Sequence, residues 1–346
     1  MIIKSLKIFL LTLISVLALS QFVLVEAVPG VYAQSYIVID ADSGRIIASK
    51  NPSQKLPIAS TTKILTTILA IENINNIEQK IEVPPECSGI EGSSIYLQPK
   101  QMVSIKDLLY GTMLRSGNDA ASTLAAFAGR SNENGFVDMM NKKAMELGAL
   151  NSHFTNPHGL HNDDHYSTAY DLALISSHAM KNKTFKEIST AKKYQAESMN
   201  TVFYNKNKVV HEYEYGSGIK IGYTKAAGRC LVASAEKDGT EIIVVVLNDG
   251  NWFQDSYNLF DWALENYKSY NIVEKGQFAG RDSEDKPVFI SESFSYILTE
   301  EEKDTIRFET NISVPHIVND KNQSVCGTYN IYLGDDLIHT GSLISN

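Results

Sequence analysis

The chain has 346 residues, of which 43% are apolar and 21% are charged, and its formal net charge is −9 at pH 7. That length is enough for about two domains with sizeable cores, so the chain is not a small cross-linked module. The acidic balance, without a long basic run, argues against nucleic acid as a partner. Three cysteines, Cys87, Cys230 and Cys326, are scattered singly and indicate neither a zinc site nor a disulfide framework.

The N-terminus has the features of an export signal. A basic flank precedes an apolar stretch from Ile8 to Leu19, and small-residue cleavage sites end at Ala27 and Ala33. We predict a signal peptide over residues 1–33, because a first strand is predicted just after it. The alternative is an uncleaved membrane anchor, since the apolar character continues to Val25. Both interpretations predict an extracytoplasmic protein, either released or attached to the membrane or wall.

The pattern of apolar residues predicts strands at both ends of a helical middle. Two β-rich runs around an Asp-Ser-Gly turn predict a hairpin from Ser35 to Ala48. Later strands are predicted from Leu231 to Ser234 and from Glu241 to Leu247, before a helix from Trp252 to Tyr267. The helices predicted between them are Thr61 to Asn73, Ile105 to Leu114, Ala120 to Ala128, Gly135 to Leu147 and Tyr170 to Met180.

This arrangement predicts an α+β domain whose sheet joins distant segments of the chain. After about residue 270 the pattern changes to short alternating runs, such as Ile306 to Ile312 and Tyr329 to Leu333, which predict a small all-β domain. We therefore expect one domain over residues 34–269 and a second over residues 270–346.

The first motif able to do chemistry is S-x-x-K, formed by Ser60 and Lys63 at the start of an apolar helix. Residues three apart share one helical face. A desolvated lysine beside other cations can be neutral enough to activate a serine nucleophile. The alternative is an ordinary helix N-cap serine with a solvated lysine, and this motif alone does not exclude it.

Two further motifs follow in the chain. Ser116 and Asn118 form S-x-N in a polar break between helical segments, where an N-cap is again the alternative, and Lys220 and Gly222 form K-x-G on a strand. A glycine there lets a ligand backbone lie close to the strand. The order S-x-x-K, S-x-N, K-x-G is that of penicillin-binding proteins and class A β-lactamases.

On these motifs the chain resembles the D-alanyl-D-alanine carboxypeptidases of the low-molecular-weight penicillin-binding proteins, serine peptidase family S11. Sequence similar to that of the family also extends over residues 107–121, 154–160 and 165–171. The resemblance implies a β-lactamase/transpeptidase-like domain, an antiparallel sheet flanked by helices with a helical subregion, followed by a small all-β domain. It also implies peptidoglycan stem peptides ending in D-Ala-D-Ala as substrates, β-lactams as inhibitors, and neither a metal nor an organic cofactor.

The resemblance assigns the chemical step to three positions. It implies that Ser60 attacks the carbonyl between the two terminal D-alanines while Lys63 accepts the proton. The oxyanion hole would consist of the backbone N–H groups of Ser60 and Tyr223, and such donors are typically worth about 3 kcal/mol each in the transition state. Water would then hydrolyse the acyl-enzyme.

The other motif residues are implied to line the substrate cleft. Ser116 would relay a proton to the leaving D-alanine, Asn118 would hold the substrate backbone, and Lys220 would supply positive potential. Ile221, before Gly222, replaces the threonine of the usual K-T-G and cannot donate a hydrogen bond to the substrate carboxylate. Losing such a hydrogen bond lowers the rate or the affinity about 10- to 150-fold. We expect a correct fold with weakened carboxypeptidase activity or a shifted substrate.

Three alternatives remain at this point. A metal site is one, because five zinc-type ligands stand within a short polar stretch, although no compact metal motif is present: His158, His161, Asp163, Asp164 and His165. A class A β-lactamase would share the nucleophile motif. A scaffold that binds wall peptides with little catalysis would explain Ile221.

Overall fold

The structure, a computed structural model, describes residues 27–129, 133–318 and 324–345. Most of the predicted signal peptide therefore lies outside the described residues, and cleavage after Ala33 stays a prediction. The chain enters the first strand at Ser35, and Ala33 just before it is buried. Within these described ranges no helix is long and apolar enough to cross a membrane.

The secondary structure alternates between a strand-rich and a helix-rich part before ending in strands. The strands are β1 (Ser35–Asp40), β2 (Ile46–Lys50), β3 (Lys80–Glu82), β4 (Met102–Ser104), β5 (Lys193–Ala196), β6 (Thr201–Tyr204), β7 (Gly216–Thr224), β8 (Gly228–Lys237), β9 (Thr240–Leu247), β10 (Lys268–Val273), β11 (Phe278–Arg281), β12 (Pro287–Ile290), β13 (Phe294–Leu298), β14 (Ile306–Val318), β15 (Ser324–Leu333) and β16 (Asp336–Ser345). The helices are α1 (Lys63–Asn73), α2 (Ile105–Leu114), α3 (Asn118–Ala128), α4 (Glu133–Glu146), α5 (Ala169–Met180), α6 (Lys183–Thr190), α7 (Val209–Glu212), α8 (Trp252–Asn266) and α9 (Glu300–Lys303). Single 3₁₀ turns span Ala59–Thr62, Pro85–Cys87 and Glu197–Met199.

The main sheet is antiparallel, with the strand order β2-β1-β9-β8-β7. The pairing of β1 with β9 places Ser35 opposite Leu247, so the sheet joins the two ends of this part of the chain, as the sequence predicts. Strand β9 is apolar almost throughout because both of its faces are covered, and each fully buried Val or Ile side chain contributes about 1.5–3 kcal/mol. Strand β7 is an edge strand, so its outer edge is free to line a cleft.

Helices cover both faces of this sheet. One face packs on the helical subregion in a core that includes Ile37, Ile64 and Leu108, with α1 near its centre. The other face packs on α8 through residues such as Val244 and Phe260. Polar caps fix where helices begin: the Ser104 side chain, for example, accepts the backbone N–H of the third residue of α2. The α+β architecture expected from the sequence is thereby confirmed.

The C-terminal strands form a separate sheet with the order β11-β12-β16-β15-β14, accompanied by the pair β10 and β13. Val288, Tyr329 and Leu343 lie in its own apolar cluster. The predicted boundary between residues 269 and 270 falls inside β10, and the division into two domains there stays a prediction. A link to the main sheet is made by Arg45, whose guanidinium pairs with Glu302.

Candidate active site

Ser60 lies in the 3₁₀ turn Ala59–Thr62 that leads directly into α1. The Lys63 Nζ atom lies 3.1 Å from the Ser60 Oγ and donates to it. The N-cap interpretation of Ser60 is wrong, because Ile58 occupies the cap position of the turn and Thr62 that of the helix, neither with a side-chain cap bond. The Ser60 hydroxyl thus contacts the Lys63 amine and does not accept the unpaired backbone N–H groups at the start of the helix.

Lys63 is fully buried, which is rare for a lysine unless its charge is compensated. Its Nζ atom donates to the Asn118 Oδ1 at 2.7 Å and to the His158 carbonyl oxygen at 2.6 Å. Burial, followed by the nearby charge of Lys220, holds the pKa of Lys63 well below its usual range. In the neutral amine the two hydrogens go to these two oxygens, and the lone pair takes the place of the hydrogen donated to the Ser60 Oγ, where it can accept the serine proton.

Ser116 and Asn118 stand where the chain turns from α2 into α3. Ser116 adopts a left-handed backbone conformation with φ of +61°, and Gly117 occupies the N-cap position without a side-chain cap bond, so Ser116 is not a cap either. The Asn118 Nδ2 donates to the Glu91 carbonyl oxygen at 2.5 Å. The Lys220 Nζ donates to the Ser116 Oγ at 3.1 Å, so this turn meets strand β7.

Strand β7 runs along the nucleophile turn, and Gly222 is the point of closest approach. A Cβ at residue 222 would lie 3.0 Å from both the backbone nitrogen of Ser60 and the carbonyl oxygen of Ile58, so only glycine fits without a shift. The backbone of β7 therefore lies against the Ser60 amide, and the neighbouring Tyr223 is 64% exposed at the mouth of the cleft.

Lys220 and Ile221 project from opposite faces of β7, as alternation along a strand requires. Lys220 is buried towards Ser116, and burial, together with the charge of Lys206, lowers its pKa to about 7. Ile221 is partly buried and packs against the core beneath α8. Because β7 is an edge strand and Ile221 is only half-buried, the rest of that side chain stays exposed along the strand edge, where a threonine would offer its hydroxyl.

A loop far along the sequence braces the nucleophile turn. A Cβ at Gly159, where φ is +86°, would lie 1.9 Å from the Ala59 carbonyl oxygen, so glycine is required there. The His165 Nδ1 accepts the backbone N–H of Thr155, so its Nε2 carries the proton and donates to the Thr62 Oγ1 at 2.8 Å. The Thr62 hydroxyl in turn donates to the Ala59 carbonyl oxygen, so the His165 imidazole has a structural role.

The family follows from sequence comparison. The sequence profile of the D-alanyl-D-alanine carboxypeptidase family, peptidase S11, matches residues 23–251. The chain belongs to this family. Its assignment as a serine-type carboxypeptidase hydrolase is thereby confirmed, and the class A β-lactamase alternative is set aside.

Individual relatives in the carboxypeptidase family cover most of the chain. It is 32% identical over 305 residues to the D-alanyl-D-alanine carboxypeptidase DacF of Bacillus subtilis, covering 82% of this chain and 78% of DacF. It is 31% identical over 285 residues to the D-alanyl-D-alanine carboxypeptidase DacA of Escherichia coli, covering 78% of this chain and 69% of DacA.

Solved structures show the same architecture. Penicillin binding protein 5 of Haemophilus influenzae superposes with a TM-score of 0.80 at 25% identity, covering 92% of this chain and 98% of that one. The Streptomyces K15 DD-transpeptidase superposes with a TM-score of 0.66 at 28% identity, covering 69% of this chain and all of that one. The longer match includes the C-terminal sheet, and the shorter one spans about two thirds of this chain.

The metal alternative does not fit the described geometry. His158 and His165 are buried, the His158 Nδ1 accepts the backbone N–H of Leu160, and both ring nitrogens of His165 are bonded to Thr62 and Thr155. His161 instead lies at the surface beside Asp163, 3.4 Å away. Across the described ranges no three His, Cys, Asp or Glu residues are grouped so that they could hold a metal ion.

The cysteines are all unpaired and buried in this structure. Cys230 lies next to the cleft strand, where it pairs with Gly222 across β7 and β8, but it is fully buried. Burial raises its pKa to about 12, so the thiolate that a nucleophile needs is strongly disfavoured. A packing role is the interpretation that this geometry favours.

Proposed function

We propose that this protein removes the terminal D-alanine of peptidoglycan stem peptides through an acyl-enzyme on Ser60. The observation that carries the proposal is the pairing of Ser60 with a buried lysine whose pKa is lowered, at 3.1 Å between Nζ and Oγ. That distance lies within hydrogen-bond reach, as a general base requires. The D-alanyl-D-alanine carboxypeptidase names of the relatives support the choice of substrate.

In the acylation step the Ser60 Oγ attacks the carbonyl carbon between the two D-alanines and its proton passes to the Lys63 Nζ. Asn118 and the His158 carbonyl hold the amine in position as it becomes an ammonium ion. The developing oxyanion lies at the N–H groups of Ser60 and Tyr223, a placement supported by the close approach of β7 to the Ser60 amide.

The leaving D-alanine must gain a proton as the peptide bond breaks. Ser116 is placed to relay one, because its hydroxyl lies between the cleft and the Lys220 ammonium. Water then attacks the acyl-enzyme, which releases the shortened peptide and restores the Ser60 hydroxyl. We assign the binding of the substrate backbone to Asn118, whose Oδ1 contacts the Lys63 Nζ.

Ile221 weakens this machinery without removing it. The strand pairing of β7 with β8 is intact, because Ile221 pairs with Leu231, and a β-branched residue suits the strand. What is lost is the hydroxyl that a threonine would offer to the substrate carboxylate. A wall-binding scaffold with impaired catalysis remains the second candidate, and Ile221 is the observation that favours it.

The protein acts outside the cytoplasm and is acylated by β-lactams, which enter the same cleft. The predicted signal peptide over residues 1–33 supports export, and the penicillin binding protein among the similar structures supports the binding of β-lactams. We assign catalysis to residues 34–269, which contain all of the motif residues. The C-terminal part, residues 270–346, serves as a second domain beside it.

The test is intact-mass analysis of the exported domain after incubation with a labelled penicillin, together with D-alanine release from a pentapeptide ending in D-Ala-D-Ala. Ser60→Ala must abolish the adduct. Ser283→Ala is the matched control, because Ser283 and Lys286 repeat the S-x-x-K spacing on an exposed loop. An adduct with release supports the proposal, an adduct without release favours the impaired scaffold, and no adduct refutes acylation at Ser60.

A further inference from the structure

The segment Val31–Ala33, which the sequence assigns to the end of the export signal, is part of the folded core. Ala33 is fully buried, and Val31 packs against the same apolar cluster between the main sheet and α8. The Gln34 N–H then joins the sheet by donating to the Leu247 carbonyl oxygen at 3.1 Å. The chain is therefore held by the domain from Val31 onwards, before the first strand begins.

Two hydrogen bonds to charged side chains also hold this segment. The Tyr32 N–H donates to the Asp255 Oδ2 at 2.6 Å, and the Lys50 Nζ donates to the Ala33 carbonyl oxygen at 2.8 Å. The Tyr32 side chain is 79% exposed, so the backbone of this residue, and not its ring, makes the contact. Hydrogen bonds to charged groups contribute more to stability than neutral ones. The segment is therefore bound by polar as well as apolar contacts.

The carboxylate that holds Tyr32 lies in a place where negative charge is disfavoured. Asp255 is buried in the first turn of α8, where the Asn251 Nδ2 donates to its Oδ1. Asp249 is buried as well, and burial, with the nearby charge of Asp255 adding to it, raises the pKa of Asp249 to about 6. Removing the Tyr32 N–H would leave the Asp255 carboxylate less well compensated, which is costly for a buried charge.

We infer that the export signal is cut after Ala27, and that residues 28–33 remain in the mature protein as part of its fold. The cut hydrolyses the peptide bond between Ala27 and Val28, and water supplies a hydroxyl to the Ala27 carbonyl carbon and a proton to the Val28 nitrogen. The peptidase that removes export signals reads small residues before the bond, and the sequence offers two such sites, Val25-Glu26-Ala27 and Val31-Tyr32-Ala33. The sequence alone does not separate them.

The folded structure separates the two sites. Residues 27, 28 and 30 are exposed, so a chain that begins at Val28 keeps the contacts of Tyr32 and Ala33. A chain that begins at Gln34 would lose both hydrogen bonds to charged side chains and would uncover part of the apolar cluster. The cut after Ala33 that the sequence predicts would therefore give the less stable product.

The first test is the mass of the exported chain. The full chain is made in a bacterium that exports it, and intact-mass analysis with N-terminal sequencing is carried out under denaturing conditions, so that no variant has to fold. We expect a chain that begins at Val28. Ala27→Phe should abolish this N-terminus, whereas Ala33→Phe, the matched control, should leave it unchanged. A chain that begins at Gln34, or one that keeps its signal, would overturn the inference.

The second test asks whether the retained segment belongs to the fold. Tyr32→Pro removes the N–H that Asp255 accepts, whereas Tyr32→Ala, the matched control, keeps it and changes only an exposed side chain. Tyr32→Pro should lower the melting temperature of the exported protein by about 5 °C, the shift expected when a domain of this size loses one hydrogen bond to a charged group. Tyr32→Ala should leave it within about 2 °C.

Equal melting temperatures for the two Tyr32 variants would overturn the inference, because a cut after Ala33 would make the two mature proteins identical. Neither readout depends on acylation of Ser60 or on D-alanine release. The proposed function and this inference can therefore fail independently.

Discussion

Asn118→Asp is the substitution that examines the role of Lys63 most directly. The Asn118 Oδ1 lies 2.7 Å from the Lys63 Nζ, so the aspartate places a full negative charge at hydrogen-bond distance from a buried amine. A negative neighbour favours the protonated form, and therefore the pKa of Lys63 rises. The side chain keeps almost the same shape, although its second oxygen no longer donates to the Glu91 carbonyl.

The expected fall in the acylation rate follows from the short distance between the new carboxylate and the Lys63 amine. An opposite charge at this range typically moves a pKa by about 1 to 3, and each unit lowers the fraction of neutral amine tenfold well below the pKa. Acylation at pH 7 should therefore fall about 10-fold or more. Raising the pH should recover most of the loss, because the lysine then loses its proton.

The assay is the rate of acylation by a fluorescent penicillin between pH 6 and pH 10, with thermal unfolding measured on the same samples. In the variant the rising limb of the pH profile should move to higher pH, while the plateau changes much less. Asn118→Leu, which loses both hydrogen bonds and adds no charge, is the control and should lower the plateau without moving the limb upward. A profile in Asn118→Asp that falls uniformly at every pH would show that Lys63 is not the base.

Three further predictions concern the strand, the link between the sheets and the nucleophile turn. Ile221→Thr should raise D-alanine release up to about 100-fold, measured as kcat/KM, and no rise would contradict the argument from the missing hydroxyl. Arg45→Met should lower the free energy of unfolding by about 2 kcal/mol, because the guanidinium pairs with Glu302 and lies between two tyrosine rings. This pairing holds the pKa of Glu302 below its usual range. Its contribution to stability is therefore present above the ordinary glutamate pKa and is lost as the pH falls. Urea unfolding at several pH values should show the difference between Arg45→Met and the unchanged protein vanish on acidification. Thr62→Val should cost about 1–3 kcal/mol and slow acylation, whereas Thr67→Val should cost little, because the buried Thr67 hydroxyl has no hydrogen-bond partner among the described residues; equal losses would contradict the bracing of the turn.

Long periodic segments were predictable from the sequence. The helix from Ile105 to Leu114 has the predicted bounds, and the helix predicted from Tyr170 to Met180 begins only one residue earlier. The C-terminal hairpin turns at Gly334, as its Gly-Asp-Asp sequence indicates. In such segments the apolar period and the turn residues are local properties, so no knowledge of distant contacts is needed.

Elements determined by contacts between distant segments were not predictable. The pair of β3 and β4 has only three residues in each strand, too few to show alternation. Helix α6 is only eight residues long and has Phe185 and Ile188 as its large apolar residues, so the segment is too short to establish a helical period from the sequence. The helix predicted from Thr61 is preceded by a 3₁₀ turn and begins at Lys63, because strand β7 and the loop at Gly159 press on the nucleophile turn.

The same distinction holds for the cleft. The motif order was enough to select Ser60, Lys63 and Ser116 as candidates, and the structure brings them together. His165 was assigned to a polar loop or a metal site, since nothing in the local sequence shows that its imidazole reaches Thr62.

The burial of Lys63 has a consequence for the timing of the chemistry. In an unfolded chain this lysine has the ordinary pKa of about 10.4 and is protonated at neutral pH, so it cannot take a proton from a serine. The amine loses that proton readily only when the segments near Asn118, His158 and Lys220 have closed around it. Folding and activation therefore occur together, and a partly folded chain carries a serine that does not react.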